Sequence, residues 1–291
     1  MSRATTALPP ARRDQLMIEA RAAFTLLTVL PVRGPERLDR TVAGRAMALA
    51  PLVGLVLGLA SALLVVTARV VTKVPHERPQ TLLPAVLGVA LLALLTRGLH
   101  LDGLADVGDA FGVRGGRERA LAVMRESTIG AFGAIAVLFV VLIQVSALSV
   151  AITAHRGTVS ILVAAMTGRL AVTLSCVGGV PSARAEGLGA LVAGTVRRRD
   201  AALATAGVLV VAGLAGRLDY DGGDTGRAVR AIVAAAVGVA VSIALRRRLV
   251  RRFGGITGDT LGATVEITSM VTLLMMASTI PNPVLRSLGL D

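Results

Sequence analysis

Along the chain, long apolar stretches alternate with short segments rich in arginine or glycine, and the apolar residues come in Ala/Val/Leu/Gly blocks rather than stripes of helical or strand period. Blocks near 47–70, 81–99, 129–153, 158–180, 201–216, 228–246 and 260–280 approach or exceed the ~20 residues a helix needs to cross a hydrocarbon core. The pattern predicts an all-α fold, a polytopic transmembrane helical bundle of about seven spans, within a range of six to eight. The second and fifth blocks are short and contain glycine, and "GLGALVAGT" at 187–195 reads as a re-entrant piece. Ahead of the first span, "LMIEARAAFTLLTVLPV" predicts a helix lying along the membrane surface and ending at Pro31. Residues 1–291 are thus expected to form a single integral membrane domain, with 1–45 as a cytoplasmic or interfacial N-terminal segment and 46–281 as the bundle. The first 17 residues carry basic side chains but no apolar core followed by a cleavage site, so they do not read as a signal peptide.

Composition supports this class, with 54% hydrophobic residues, six aromatics and a mean hydropathy of +0.74. A net charge of +13 raises the question of nucleic acid. The arginines, however, sit in clusters between apolar blocks, and there is no Trp and one Tyr for base stacking, so nucleic-acid binding is excluded. The single Cys176 lies within an apolar run and reads as a small core residue.

Lys and Arg counts give the orientation. The segments before, between and after the spans alternate between many and few, with 22 basic residues on one side against seven on the other. The positive-inside rule then puts the N-terminus and the 97–128, 181–200 and 246–257 loops in the cytoplasm.

That face also carries the acidic residues. In "GLHLDGLADVGDAFG" (98–112), Asp102, Asp106 and Asp109 fall within about 60° of one another on a helix, so one face would present three carboxylates. They repel unless a cation sits among them, and an oxygen-only donor set suits Mg²⁺ or Mn²⁺ before zinc. His100 points roughly opposite. Gly103, Gly108 and Gly112 are expected to let a bulky ligand approach. The bland alternative is a set of solvated loop residues.

A second cluster, "RRFGGITGDTLGATVEI", joins arginines, a turn with Gly255 and Gly258, an aspartate opening a helix (Asp259) and Glu266 on the same helical face. Such a turn suits phosphate. The alternative is Asp259 as a simple N-cap. "VMRESTIGAFG" adds Arg125, Glu126 and Ser127, and "ARAEGLG" (183–189) adds Arg184 and Glu186. Arg169 lies mid-span, where a lone charge costs several kcal/mol, so it is expected to reach a polar cavity and meet Glu266 or a phosphate.

Together these segments resemble the cobalamin synthase family, the adenosylcobinamide-GDP ribazoletransferases of the bacterial inner membrane. The likeness runs in order through "FTLLTVLPV", "PLVGLVLG", "GLHLDGLADVGDAFG", "MRESTIGAFG", "ARAEGLG" and "GGITGDTLGATVEI", of which the third and last are specific. The chain departs from the family pattern at Ala110, where a glycine is usual, and at Glu126, Ser127 and Thr128, where the family has Asp-Ser-Arg.

The resemblance implies an Mg²⁺-dependent transfer at the cytoplasmic face. A hydroxyl of α-ribazole or α-ribazole 5′-phosphate attacks the cobinamide-side phosphorus of adenosylcobinamide-GDP, and GMP leaves. Asp102, Asp106 and Asp109 are the expected metal ligands and, with Asp259, the catalytic residues. Arg125, Ser127, Arg169, Arg184, Glu186, Gly255, Gly258 and Glu266 are the expected substrate contacts. The partners are then these substrates, the lipid bilayer and, in a homo-oligomer, further copies of the chain. Two other readings compete. A CDP-alcohol phosphotransferase would need its Asp-Gly-x-x-Ala-Arg start, and this chain has "DGLAD". A secondary transporter would show paired halves and charges near the midplane.

Overall fold

The computed structural model describes residues 12–73, 80–126 and 128–278, and these form twelve helices. In chain order they are α1 (Arg12–Leu27), α2 (Arg40–Ala48), α3 (Ala50–Val71), α4 (Leu82–Leu95), α5 (Leu99–Gly112), α6 (Arg117–Val123), α7 (Ala131–Thr153), α8 (Gly157–Ser175), α9 (Leu188–Val192), α10 (Arg198–Arg217), α11 (Thr225–Phe253) and α12 (Gly258–Ala277). Among the described residues there is no strand, only two isolated parallel bridges, Val177 with Val196 and Ser182 with Ile256. Six helices, α3, α7, α8, α10, α11 and α12, are long and apolar enough to cross a membrane, and the bent pair α4 and α5 brings the count to seven if taken as one span. The chain is a multi-pass helical membrane protein. The segment before Arg12 and the end of the expected last span, 279–280, lie outside the described residues.

α8 is the centre. All but one of its 19 residues are buried, with α3, α7, α10, α11 and α12 packed around it. Small residues allow this enclosure: at Gly54 of α3, a Cβ would come 2.6 Å from the Ala165 carbonyl oxygen. Two of its buried threonine hydroxyls are bonded to backbone carbonyls, Thr173 to Met47 at 2.7 Å and Thr167 to Val163 at 2.7 Å, so burial leaves these satisfied. On the outer helices, Leu63, Leu138 and Val210 are exposed, as lipid-facing side chains are.

Several boundaries differ from the sequence expectation, among them the end of the fourth span, where α8 stops at Ser175 and not at 180. The second span is not one helix: α4 stops after 14 residues, Arg97 and Gly98 both take left-handed φ (53° and 68°), and α5 leaves at 89°. Gly98 adopts that conformation freely, whereas Arg97 is strained in it. The sixth span runs past 246 to Phe253, because the arginine run continues the helix and its cations suit a helix C-terminus, which ends at left-handed Gly254. α2 runs across residue 45 with Asp39 as its cap, accepting from the Thr41 and Val42 N–H at 2.8 Å. α1 ends at Leu27, before Pro31, and buries Ala22, Ala23 and Leu27 against the bundle. The 187–195 piece contains only the single-turn α9.

Candidate active site

Three segments that are far apart in sequence meet at one end of the bundle. The turn after α11 runs alongside 181–183: Ile256 N–H donates to the Pro181 carbonyl at 2.9 Å, and Ala183 N–H donates to the Ile256 carbonyl at 2.9 Å. Gly255 is the close approach that this pairing requires, because a Cβ there would run into the Ser182 and Ala183 backbone. α5 docks on the start of α12 in the same manner, a Cβ on Gly103 falling 2.6 Å from the Asp259 carbonyl oxygen. Two arginines tie this loop to α6: Arg117 of α6 donates to the Ala183 carbonyl and Arg184 of the loop to the Leu121 carbonyl, both at 3.1 Å.

Asp259 is not the N-cap of α12. Thr257 holds that place, in a reciprocal capping box with Thr260, which leaves the Asp259 carboxylate available to the site. Its Oδ2 accepts from the Thr257 hydroxyl at 3.2 Å and lies 3.5 Å from Arg184. Across from it on α5 are Asp102, exposed, and Asp106, half-buried. Asp259, Asp102, Arg184 and, last of the four, Asp109 are all within electrostatic reach of Asp106. Three carboxylates facing one another with a single arginine invite a further cation.

Asp109 departs from the expected metal face. It is buried, and each of its oxygens accepts a backbone N–H at the start of α7, from Gly130 at 2.7 Å and Gly133 at 2.8 Å. It therefore anchors α5 to a helix N-terminus, where a carboxylate is favoured by hydrogen bonding and by the helix dipole. Among the described residues no group of three or more His, Cys, Asp or Glu side chains is placed to hold a metal ion by itself. Asp102 and Asp106 offer two carboxylates, and Mg²⁺ is commonly held by one or two, with phosphate and water completing the shell. The donor set fits Mg²⁺ on those terms.

Two cavities open on either side of Asp102. The larger, about 1040 Å³, runs between the end of α1, the α4–α5 break and the start of α7, and is lined by Thr28, Arg97, Asp102, Asp106, Glu126 and Thr128 among others. The smaller, about 240 Å³, lies between α5, α9 and the start of α12, with Asp102, Arg184, Glu186, Gly258 and Asp259 in its wall. His100 also lines it, and neither of its ring nitrogens has a hydrogen-bond partner.

The remaining expected residues divide. Arg184, Glu186 and Gly258 reach the small cavity, whereas Gly255 serves chain pairing. Gly103, Gly108 and Gly112 admit neighbouring helices rather than a ligand, facing Asp259, the Gly133 backbone and the Phe132 ring. Arg125 is exposed and lines neither cavity, and Ser127 lies outside the described residues. Arg169 and Glu266 also reach neither cleft. They share an enclosed hollow of about 70 Å³ in the bundle interior, where Glu266 accepts from Gln144 Nε2 at 2.8 Å and Arg169 Nε has no partner. Its wall is mostly apolar, but Gln144, Arg169, Glu266 and Ser269 meet in it, enough polar partners for a bridging water. Sequence reasoning missed His100, Arg97 and Thr128 as lining residues, whereas Glu126, which it named, lines the large cavity. The signal for Arg97 was the Arg-Gly pair closing an apolar run, which marks a turn.

A multi-pass helical bundle whose irregular segments gather carboxylates, an arginine and a glycine-rich helix start around a cleft at one end belongs to the class of membrane enzymes that handle phosphate groups. The family model described as cobalamin-5-phosphate synthase matches residues 19–277, and the chain belongs to that family. It is 68% identical to the adenosylcobinamide-GDP ribazoletransferase of Frankia casuarinae over 94% of this chain and 100% of that one. The enzyme of the same name from Nocardioides sp. is 41% identical over 60% of this chain and 73% of its own length. That of Corynebacterium efficiens is 38% identical over 60% and 61%. No solved structure matches the chain.

Proposed function

We propose that this protein completes the nucleotide loop of cobalamin, transferring adenosylcobinamide phosphate from adenosylcobinamide-GDP to α-ribazole or α-ribazole 5′-phosphate. The observation that carries the reading is the junction at Asp102, where carboxylates from α5 and the start of α12 border two cavities at once. In the reaction, a hydroxyl oxygen of the ribazole forms a bond to the cobinamide-side phosphorus, the bond to the bridging oxygen breaks, and that oxygen leaves with GMP. The hydroxyl proton passes to a carboxylate, for which Asp259 is suitably placed. Asp102 and Asp106 would hold Mg²⁺, which when bound supplies neutralisation of charge on the diphosphate. Arg184 adds fixed positive charge beside the leaving phosphate. The Lys and Arg distribution supports this end facing the cytoplasm, and a bacterial inner-membrane location goes with the family's activity.

The test is turnover of adenosylcobinamide-GDP and α-ribazole 5′-phosphate by membranes containing the protein, with release of GMP, abolished by a chelator and restored by Mg²⁺. Turnover unaffected by chelation would remove the cation, and no turnover in folded protein would remove the reaction.

A further inference from the structure

The two cavities differ in size and chemistry, and the difference assigns their occupants. The small one admits a base and sugar but not a macrocycle. It carries Arg184 and the start of α12, both suited to a phosphate, and Glu186 at its exposed rim. His100, 3% exposed and with both ring nitrogens unpartnered, also lines it, so its wall carries buried polar character. Arg184 Nε is also without a partner.

A carboxylate reads one nucleobase edge better than any other. It accepts two hydrogen bonds side by side, and guanine presents N1–H and N2–H side by side, whereas a benzimidazole lower-ligand base has no such pair of donors. The large cleft, lined by α1 and the α4–α5 break, is four times roomier and has walls of Leu26, Val29 and Ile129 beside its polar groups, which suits a broad macrocycle.

We propose that the small cavity is the guanosine phosphate subsite, with Glu186 as the guanine reader, and that the corrinoid half of the same substrate occupies the large cleft, the diphosphate crossing at Asp102. This rests on the function proposed above and adds which half of the substrate goes where. Glu186 acts on binding and not on the reacting atoms.

The experiment measures binding of GMP and of IMP, which lacks the 2-amino group, to the full-length protein in detergent or nanodiscs. The wild type should prefer GMP by about tenfold, the value of one charge-assisted hydrogen bond. Glu186→Gln should bring the ratio close to one, while Glu186→Asp, which keeps the carboxylate, should retain part of the preference. Val29→Trp, in the large cleft, should raise KM for adenosylcobinamide-GDP without changing GMP affinity. Equal binding of GMP and IMP by the wild type, or an unchanged ratio in Glu186→Gln, overturns the assignment. So does a rise in KM for α-ribazole 5′-phosphate alone in Glu186→Gln, which would make this the acceptor subsite. Each of these results leaves the transferase reading intact, because that reading stands or falls on wild-type turnover.

Discussion

At the end of the bundle away from the site, Arg69 of α3, His155 ahead of α8 and Arg227 of α11 close around the loop 218–224. Asp221 lies 2.9 Å from Arg69 and 3.2 Å from His155, and Asp219, buried, lies 3.1 Å from Arg227. Arg227 also donates to the carbonyls of His155 and Asp221, so this cluster ties α3, α8, α10 and α11 together by matched charges. At the site end, Asp102, Asp106 and Asp259 share one arginine, and Arg184 is 3.5 Å from its nearest carboxylate. The far end uses its carboxylates up in the folded chain, and the site end leaves them for a ligand. Pairing, rather than the mere presence of charge, is what separates the acids of the two ends.

The largest effect is expected at the unpaired acids. On the proposed function, Asp106→Asn and Asp102→Asn should each lower turnover by at least about a hundredfold, since each removes charge where that proposal puts Mg²⁺ and diphosphate. Folded yield and thermal midpoint should stay at wild-type level or rise, because a repulsive charge has gone. A large loss of folded protein in both variants would place these residues with the far-end acids and break the comparison.

Asp109 is the case that sharpens it, being at the site end but bonded as the far-end acids are. Asp109→Asn loses the charge and one of two backbone N–H bonds to α7, at a cost of about 1–3 kcal/mol. The expected outcome is a lower thermal midpoint, with turnover per folded molecule reduced less than in Asp106→Asn. A wild-type midpoint with turnover as low as that of Asp106→Asn would return Asp109 to the metal shell.

The sequence carries the two ends unequally. The spans follow from block hydropathy, which is local and summed over many residues, so α3, α7, α8, α10, α11 and α12 fall where the apolar runs lie. The meeting of α5, 181–189 and the start of α12 was legible only as a shared side, through arginine counts. What could not be read was which carboxylates are occupied. Asp109 differs from Asp106 only by partners 21 and 24 residues away in sequence, at Gly130 and Gly133. Arg169 was legible in part for a related reason: a mid-span charge must be compensated, and Glu266 shares its hollow as expected, but that hollow lies in the bundle interior and not at the cleft.

The smallest expected effect is a pH dependence at the far end, where Asp221 makes the comparison quantitative. Burial pushes its carboxyl up, but the hydrogen bond and charge of Arg69, with His155 beside it, outweigh that and leave it below the usual carboxylate range. A carboxyl whose folded value lies below the unfolded value of about 3.9 favours the folded state fully above that pH, and the benefit fades as pH falls through the folded value. Thermal midpoints of the wild type and of Asp221→Asn, measured from pH 6 down to pH 3, should therefore be separated at pH 6 and converge below about pH 4. Other carboxylates titrate in the same interval and move both proteins alike, so the difference between the curves isolates Asp221. Curves that stay parallel throughout would mean that Asp221 has no charge-dependent share in holding α3 to α8 and α10, and the far-end cluster would then be a set of surface contacts rather than a clasp.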